Sequence, residues 1–376
     1  MPRDGFQVGE TVELYIESLA FQGLGVGKKD GFVFFVDETS PGDKILAKIS
    51  SLKKNFGYGY IEKLIEKSNS RTEALCPHFS FCGGCQWQHV KYEEQIFQKE
   101  KILAKTLSRP TVKVIPSPNQ YGYRNRIRLH WNGEILGMYQ RKSSTVFPIE
   151  TCKIVFPGIA NQFEKTRERL KREYSGKPKQ VDLFLGESGV INTQITNFDD
   201  REYPPFSQVN FEINEQLKKH VTNLIPSSAE SILDLYCGSG NFTYLAKQKI
   251  DSARVIGVEF NTTSIQEAKK KYSGIEFFSE DVGKFLKKWK ETLAKLTVII
   301  DPPRTGCHPE VLDSILKLSP RTIIYVSCDP MTLKRDIQHL QKSSGGNVTL
   351  ENALGFDMFP QTYHVETVAV LNSSSY

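Results

Sequence analysis

At 376 residues, with 39% hydrophobic and 24% charged side chains, the chain has the composition of a globular protein with room for two or three separately cored domains. It contains no apolar run of about eighteen residues, which excludes a membrane-spanning helix, and the opening MPRDGFQVGE lacks the apolar core of a secretory signal, so a cytoplasmic location is expected. The net charge of +6 suits a polyanionic partner without requiring one.

Residues 6–66 read as a small all-β unit. Alternating runs at 11–16, 32–36 and 44–50 are separated by glycine-rich or Pro-Gly turns, and about five such strands suit a closed barrel of the oligonucleotide-binding kind. Its last part, 51–60, mixes Lys53 and Lys54 with Phe56, Tyr58 and Tyr60. Charge interleaved with ring faces suits single-stranded RNA; an ordinary solvated hairpin has the same composition, because strands are rich in aromatics. Next, three of the seven cysteines crowd into 76–85, which in a reducing compartment reads as a metal site rather than a disulfide framework. A helix is predicted over 92–107, and strands over 126–131, 133–139 and 181–185.

From about Phe206 the pattern changes to alternation of strand and helix. Helices are predicted at 210–224, from the glycine turn through 247, and at 263–272. Short apolar strands are predicted at 231–235, 254–259, 275–278, 297–300 and 322–326. This is the signature of a doubly wound α/β sheet of the Rossmann type. The expected organisation is therefore a barrel over 1–66, a middle α+β domain over 67–205 and an α/β domain over 206–376.

Three motifs lie at predicted strand ends, where open α/β sheets bind ligands, and a fourth leads into a last strand. In Leu233-Asp234-Leu235-Tyr236-Cys237-Gly238-Ser239-Gly240-Asn241, the glycines let backbone approach a nucleotide closely, and Glu259, one strand later, is placed to bind ribose hydroxyls. Asp281 ends the third strand region, where it can accept from an adenine amino group, although Glu280 is adjacent. Asp301-Pro302-Pro303-Arg304 stops the next strand and stiffens its loop. Ser327-Cys328-Asp329-Pro330 follows the strand after that. A lone cysteine is often a small core residue, but this one shares an edge with the other motifs. Finally, Phe359-Pro360-Gln361-Thr362-Tyr363-His364-Val365-Glu366 leads into a last strand, and Glu366 has the chemistry of a general base if a substrate lies within reach. Thiolate sites suit zinc or iron–sulfur alike, and His78 or His89 could complete a zinc site, so spacing leaves the metal open.

Together these motifs resemble the RNA 5-methyluridine methyltransferase family, in its branch with an N-terminal TRAM domain and an iron–sulfur cluster. The resemblance rests on Cys76, Cys82-Gly83-Gly84-Cys85, Gln88-His89 and Tyr92, on the glycine loop, on Asp-Pro-Pro-Arg and Ser-Cys-Asp-Pro, and on Pro-Gln-Thr-x-His-Val-Glu; it runs to about Val370. It implies an S-adenosylmethionine-dependent enzyme with Cys328 as nucleophile and Glu366 as base. Gln208, Tyr236, Asn241, Glu259, Asp281 and Asp301 would surround the cofactor, Gln208 lying in the Phe206-Ser207-Gln208-Val209-Asn210 entry to the domain. Cys76, Cys82, Cys85 and Cys152 would ligate a 4Fe–4S cluster, leaving Cys237 and Cys307 with neither role. The implied substrate is uridine in RNA, 23S rRNA first and tRNA as the alternative, with a non-catalytic RNA-binding protein as the rival from another class. The enzyme is expected to act as a monomer.

Overall fold

The structure, a computed structural model, describes residues 5–186, 188–198 and 208–374, and its strands fall into three sheets. The expected boundary at 205/206, with Phe206 and Ser207, lies outside the described residues.

The first sheet is a closed barrel of β1 (Thr11–Leu19), β2 (Gly25–Lys29), β3 (Phe32–Val36), β4 (Lys44–Leu52) and β5 (Phe56–Glu66), in the order β1-β2-β3-β5-β4. Every second side chain points inward, so Val12, Leu14 and Ile16 meet Phe32, Phe34, Val36, Ile45, Ala47 and Ile49 in one core. Closure of β1 on β4 removes the exposed edges that a five-stranded sheet would otherwise leave.

After the cysteine-bearing segment come α1 (Tyr92–Thr106) and β6 (Val114–Ile115). The second sheet is formed by β7 (Arg126–Trp131), β8 (Leu136–Tyr139), β9 (Val146–Pro148), β10 (Lys179–Leu185) and β11 (Ile191–Thr196), in the order β11-β10-β7-β8-β9. The helices α2 (Pro157–Ala160) and α3 (Phe163–Glu173) cover one face of it, burying Ile127, Leu129 and Trp131 against Ile159, Phe163 and Leu170.

The third sheet carries the α/β pattern. Its elements are α4 (Phe211–Leu224), β12 (Ser231–Leu235), α5 (Asn241–Lys249), β13 (Arg254–Glu259), α6 (Thr262–Lys271), β14 (Glu276–Ser279), α7 (Val282–Lys288), β15 (Leu296–Ile300), α8 (Pro309–Lys317), β16 (Thr322–Ser327), α9 (Pro330–Ser343), β17 (Val348–Phe356) and β18 (Glu366–Ser373). The order is β14-β13-β12-β15-β16-β18-β17-β6. The strands β12 to β16 are parallel, with β12, β15 and β16 fully buried, but β18 runs antiparallel to both β16 and β17. The chain order reverses on either side of β12, which opens a crevice at the carboxyl ends of the parallel strands. Gly240 makes the turn into α5 at φ +84°, and a Cβ there would lie 2.9 Å from Phe277 Cζ, so only glycine fits.

Among the described residues, no helix is long and apolar enough to cross a membrane. The barrel, α1 and the loop between β17 and β18 meet at Trp87. Its ring is fully buried among Leu19, Val90 and Ile102, and its Nε1 donates to Gly23 O at 3.0 Å in the β1–β2 turn. Replacing Trp87 by Ala should lower the unfolding free energy by about 3–5 kcal/mol in a denaturant titration. A loss of less than about 1 kcal/mol would mean that this junction does not hold the barrel to the rest.

Candidate active site

One edge of the third sheet gathers the chemistry. Tyr236 follows β12, Glu259 ends β13, Asp281 lies just beyond β14, Asp301 follows β15 and Cys328 follows β16. These all leave their strands at the carboxyl edge. Glu366 reaches the same edge the other way, as the first residue of antiparallel β18. Ser327 pairs with Thr367, so the next step of the ladder sets Cys328 opposite Glu366. Beyond Cys328 the chain turns at once into α9, with Asp329 accepting from Met331 N at 2.8 Å and Thr332 N at 3.1 Å as its N-cap.

The electrostatics follow from burial. Glu366 is buried, and desolvation, with Asp301 adding and Arg304 opposing, pushes its carboxyl up to about 8. Burial pushes Asp301 up to about 7. The Cys328 thiol rises to about 12, first through burial and then through Glu366, with Arg304 opposing and Asp301 adding. Asp301 and Arg304 therefore both act on Glu366 and on Cys328. His364, in the loop before Glu366, is held down at about 4 by burial and by Arg304, Lys99 and Arg124.

Apart from Gln208, which precedes α4, the residues assigned to a cofactor lie along the same edge. Tyr236 adopts φ +64°, and its hydroxyl is tied to Cys307. Gly238 N donates to Glu259 Oε2 at 3.2 Å, and Asn261 N donates to its Oε1 at 2.8 Å. Asn241 is exposed at the first turn of α5. Asp281 caps α7, accepting from Lys284 N at 3.0 Å, while its neighbour Glu280 is paired with Lys288. The half-buried Gln208 accepts from Asn125 Nδ2 at 3.0 Å through its carbonyl.

The four cysteines assigned to a metal come together from separate parts of the chain. Cys85 and Cys152 share an apolar pocket with Phe79, Tyr123 and Ile154, with Cys76 packed beside them. Burial raises Cys85 to about 12, against a hydrogen bond from Gln88, and Cys152, Cys82 and Cys76 raise it further. Burial likewise raises Cys152 to about 11 and Cys82 above its ordinary value, with neighbouring thiols adding to both. Among the described residues, however, no three His, Cys, Asp or Glu side chains stand so as to hold a metal ion, so the expected 4Fe–4S cluster is not shown. Cys237 and Cys307 are buried, the latter under Tyr325 and Tyr236.

Comparison with known proteins agrees with this layout. The tRNA (Uracil-5-)-methyltransferase family matches residues 184–276 and 285–374, and the TRAM domain matches residues 5–61. An RNA methyltransferase of Bdellovibrio bacteriovorus is 31% identical over 381 residues, covering 98% of this chain and 96% of its own. Another, of Clostridium acetobutylicum, is 31% identical over 448 residues, covering 96% of each. The chain belongs to the RNA uracil-5-methyltransferase family. It is thus an S-adenosylmethionine-dependent enzyme. In fold it is similar to the crystal structure of the Pyrococcus abyssi tRNA (uracil-54, C5)-methyltransferase in complex with S-adenosyl-L-homocysteine, with a TM-score of 0.76 at 24% identity, over 96% of this chain and 99% of that one.

The strand edge of this methyltransferase fits its cofactor on its own terms. Among the described residues, Gly238, at φ +54°, has open space where a side chain would stand, and the buried Asp234 keeps Oδ1 without a partner while Oδ2 accepts from Thr243 at 2.5 Å. Sequence reasoning gave no role to Asp234 or Arg304, although both sit inside motifs it singled out. It also passed over Lys99 and Asp357, whose signal lies only in their contact.

A carboxyl buried this deeply would, acting as a base, have a visible pH dependence. Only the carboxylate form of Glu366 accepts a proton, so kcat of the methyltransferase should climb with pH through about 8. A profile that is flat between pH about 6 and 9 would show that no group of this kind limits the reaction.

Proposed function

We propose that the enzyme methylates C5 of a uridine in structured RNA through a covalent bond between Cys328 and C6, with Glu366 removing the C5 proton. The observation that carries this reading is the β16–β18 register, which sets the thiol opposite the buried carboxyl. Uracil C5 is too weak a nucleophile to take a methyl group unaided, and addition at C6 splits the reaction into easier steps. Cys328 attacks as the thiolate, its proton gone to solvent, and the electron pair gained by the ring comes to C5. Gln208, Tyr236, Asn241, Glu259, Asp281 and Asp301 would hold S-adenosylmethionine, which would supply an electrophilic methyl group; C5 would take it as the methyl–sulfur bond breaks, leaving S-adenosylhomocysteine. Glu366 then takes the C5 proton, the 5,6 double bond re-forms, and Cys328 leaves as thiolate. The base must be out of its stack to meet both groups, so a flipped or unpaired uridine is required.

The substrate in this proposal is 23S ribosomal RNA, bound by a monomer in the cytoplasm. Support comes from the resemblance to the family branch that joins a TRAM barrel to a cysteine-bearing middle domain. A second reading, tRNA, is favoured by the description of the matching family and by the substrate of the Pyrococcus abyssi relative. Stalled adducts test chemistry and substrate together. Glu366→Gln, given unmodified 23S rRNA, should accumulate a methylated protein–RNA adduct that survives denaturing electrophoresis, and should lose turnover by about 10²–10⁴-fold. Cys328→Ala should form none. Near wild-type turnover by Glu366→Gln removes Glu366 from the role, an adduct with Cys328→Ala removes Cys328, and adducts with tRNA alone decide for the second substrate.

We also propose that Cys76, Cys82, Cys85 and Cys152 hold a 4Fe–4S cluster with a structural role. Burial, and after it the neighbouring thiols, hold Cys85 and Cys152 in the protonated form, and a bound metal centre is the counter-charge that would let them ionise. Protein purified without oxygen should be brown, with iron and acid-labile sulfide in near-equal amounts, and Cys152→Ala should lose the colour as fully as Cys85→Ala. A colourless protein carrying one zinc ion overturns the assignment.

A further inference from the structure

The loop between β17 and β18 ends on Glu366, and the groups that hold it come from elsewhere in the chain. Three successive carbonyls are taken by the middle of the protein. Phe359 O accepts from Lys99 Nζ at 3.3 Å, and Pro360 O from Tyr123 Oη at 3.1 Å. Gln361 O accepts from Gln86 N and Trp87 N, both at 3.0 Å, immediately after Cys85. Gln361 also exchanges two bonds with Gln95 of α1: its N donates to Gln95 Oε1 at 3.0 Å, and its Oε1 accepts from Gln95 Nε2 at 2.9 Å. The same Nε2 reaches Trp87 O and Val90 O. Gln361 is buried and sits at φ +68°, a conformation that a glutamine adopts only when its surroundings impose it.

At the start of the loop stands a fully buried ion pair, Lys99 Nζ to Asp357 Oδ1 at 2.5 Å, with both side chains at 0% exposure. Asp357 Oδ2 accepts from Tyr92 Oη at 2.7 Å, and that oxygen in turn accepts from Ser117 N at 2.7 Å. Desolvation pulls Lys99 below its ordinary value while Asp357 pushes back. Such a pair is a poor device for stability, because apolar replacements of similar volume often do as well or better. Its use lies in fixing one geometry.

We propose that Gln95 and Lys99 are positioning residues for the methyl-transfer reaction: through Gln361 and Asp357 they set the loop that delivers Glu366 opposite Cys328. This rests on the reading of Glu366 as the base. The ladder to Phe356 holds the backbone of Glu366 on one side only, at the first residue of its strand. The chain that precedes that residue is loop, and the loop takes its shape from α1 and the cysteine-bearing segment. Neither Gln95 nor Lys99 touches the reacting atoms, so their loss acts on the step that needs Glu366 and spares the attack by Cys328.

The test is the paired variant Lys99→Met with Asp357→Asn, which removes both charges, keeps the lysine's length and leaves an acceptor for Tyr92. It should unfold within a few degrees of the wild type. On cognate RNA it should form the covalent adduct at the wild-type rate, yet release it about ten- to a hundredfold more slowly, the cost of a displaced catalytic group. The methylated adduct then accumulates as it does with Glu366→Gln. Gln95→Met serves as the second variant, with no charge to strand, and should show the same split between attack and release. Unchanged release in a folded variant overturns the proposal, and so does an equal loss of attack and release, which a general loosening of the site would produce. Should Glu366→Gln itself fail to stall, the base assignment falls first, a result distinct from failure of the clamp.

Discussion

The active site depends on the antiparallel pairing of β18 with β16. Parallel strands bring only their last residues to the binding edge, and the residues that follow them serve a ligand. A strand running backwards brings its first residue there instead, which is how Glu366 arrives beside a thiol leaving β16. The Ser327 to Thr367 pairing sets that meeting to the residue, since a slip of one position would turn Glu366 to the opposite face of the sheet. Pairing of Glu366 with Phe356 on the other side makes β18 a central strand whose register two neighbours specify.

That arrangement concentrates acids in a dry place. Asp234, Asp301 and Glu366 lie near the same edge, and burial leads the causes that raise all three. Against them the chain sets chiefly the Arg304 guanidinium, which opposes the rise at both Glu366 and Cys328. Carboxyls held near neutrality favour whatever positive charge enters their space. A sulfonium cofactor is such a charge. Burial first, and then Glu366 and Asp301, hold the Cys328 thiol in its protonated form.

The middle of the protein contributes shape to this chemistry. Buried backbone carbonyls need donors, and the loop ahead of Glu366 finds its donors in Lys99, Tyr123, Gln86 and Trp87. Trp87 also bonds the β1–β2 turn of the barrel. One indole thus touches the barrel, the cysteine-bearing segment and the approach to the catalytic edge, so the parts expected to grip RNA and the part that carries the reacting groups share a rigid junction.

How far the sequence alone reaches can be judged from particular residues. The apolar strands from β12 to β16 and the motifs that follow them were legible because a βαβ repeat puts every strand end on one edge, so a local pattern predicts a shared location. Cys82-Gly83-Gly84-Cys85 was legible as a thiol pair for the same local reason. Cys152 was reached by resemblance alone, since its approach to Cys85 depends on the packing of Ile154 and Tyr123. Neither β17 nor the antiparallel sense of β18 could be read: hydrophobic alternation carries no strand direction, and the bulge between Leu350 and Asn352 breaks the period. Least legible was Lys99, which in a helix rich in Glu, Gln and Lys looks like one more solvated charge. Its partner Asp357 lies 258 residues away, and only the closing of α1 against the β17–β18 loop turns both into buried groups. Local pattern fixes which residues can meet an edge, but burial is a property of the whole packed chain, and tertiary structure alone decided which charges would lose their water.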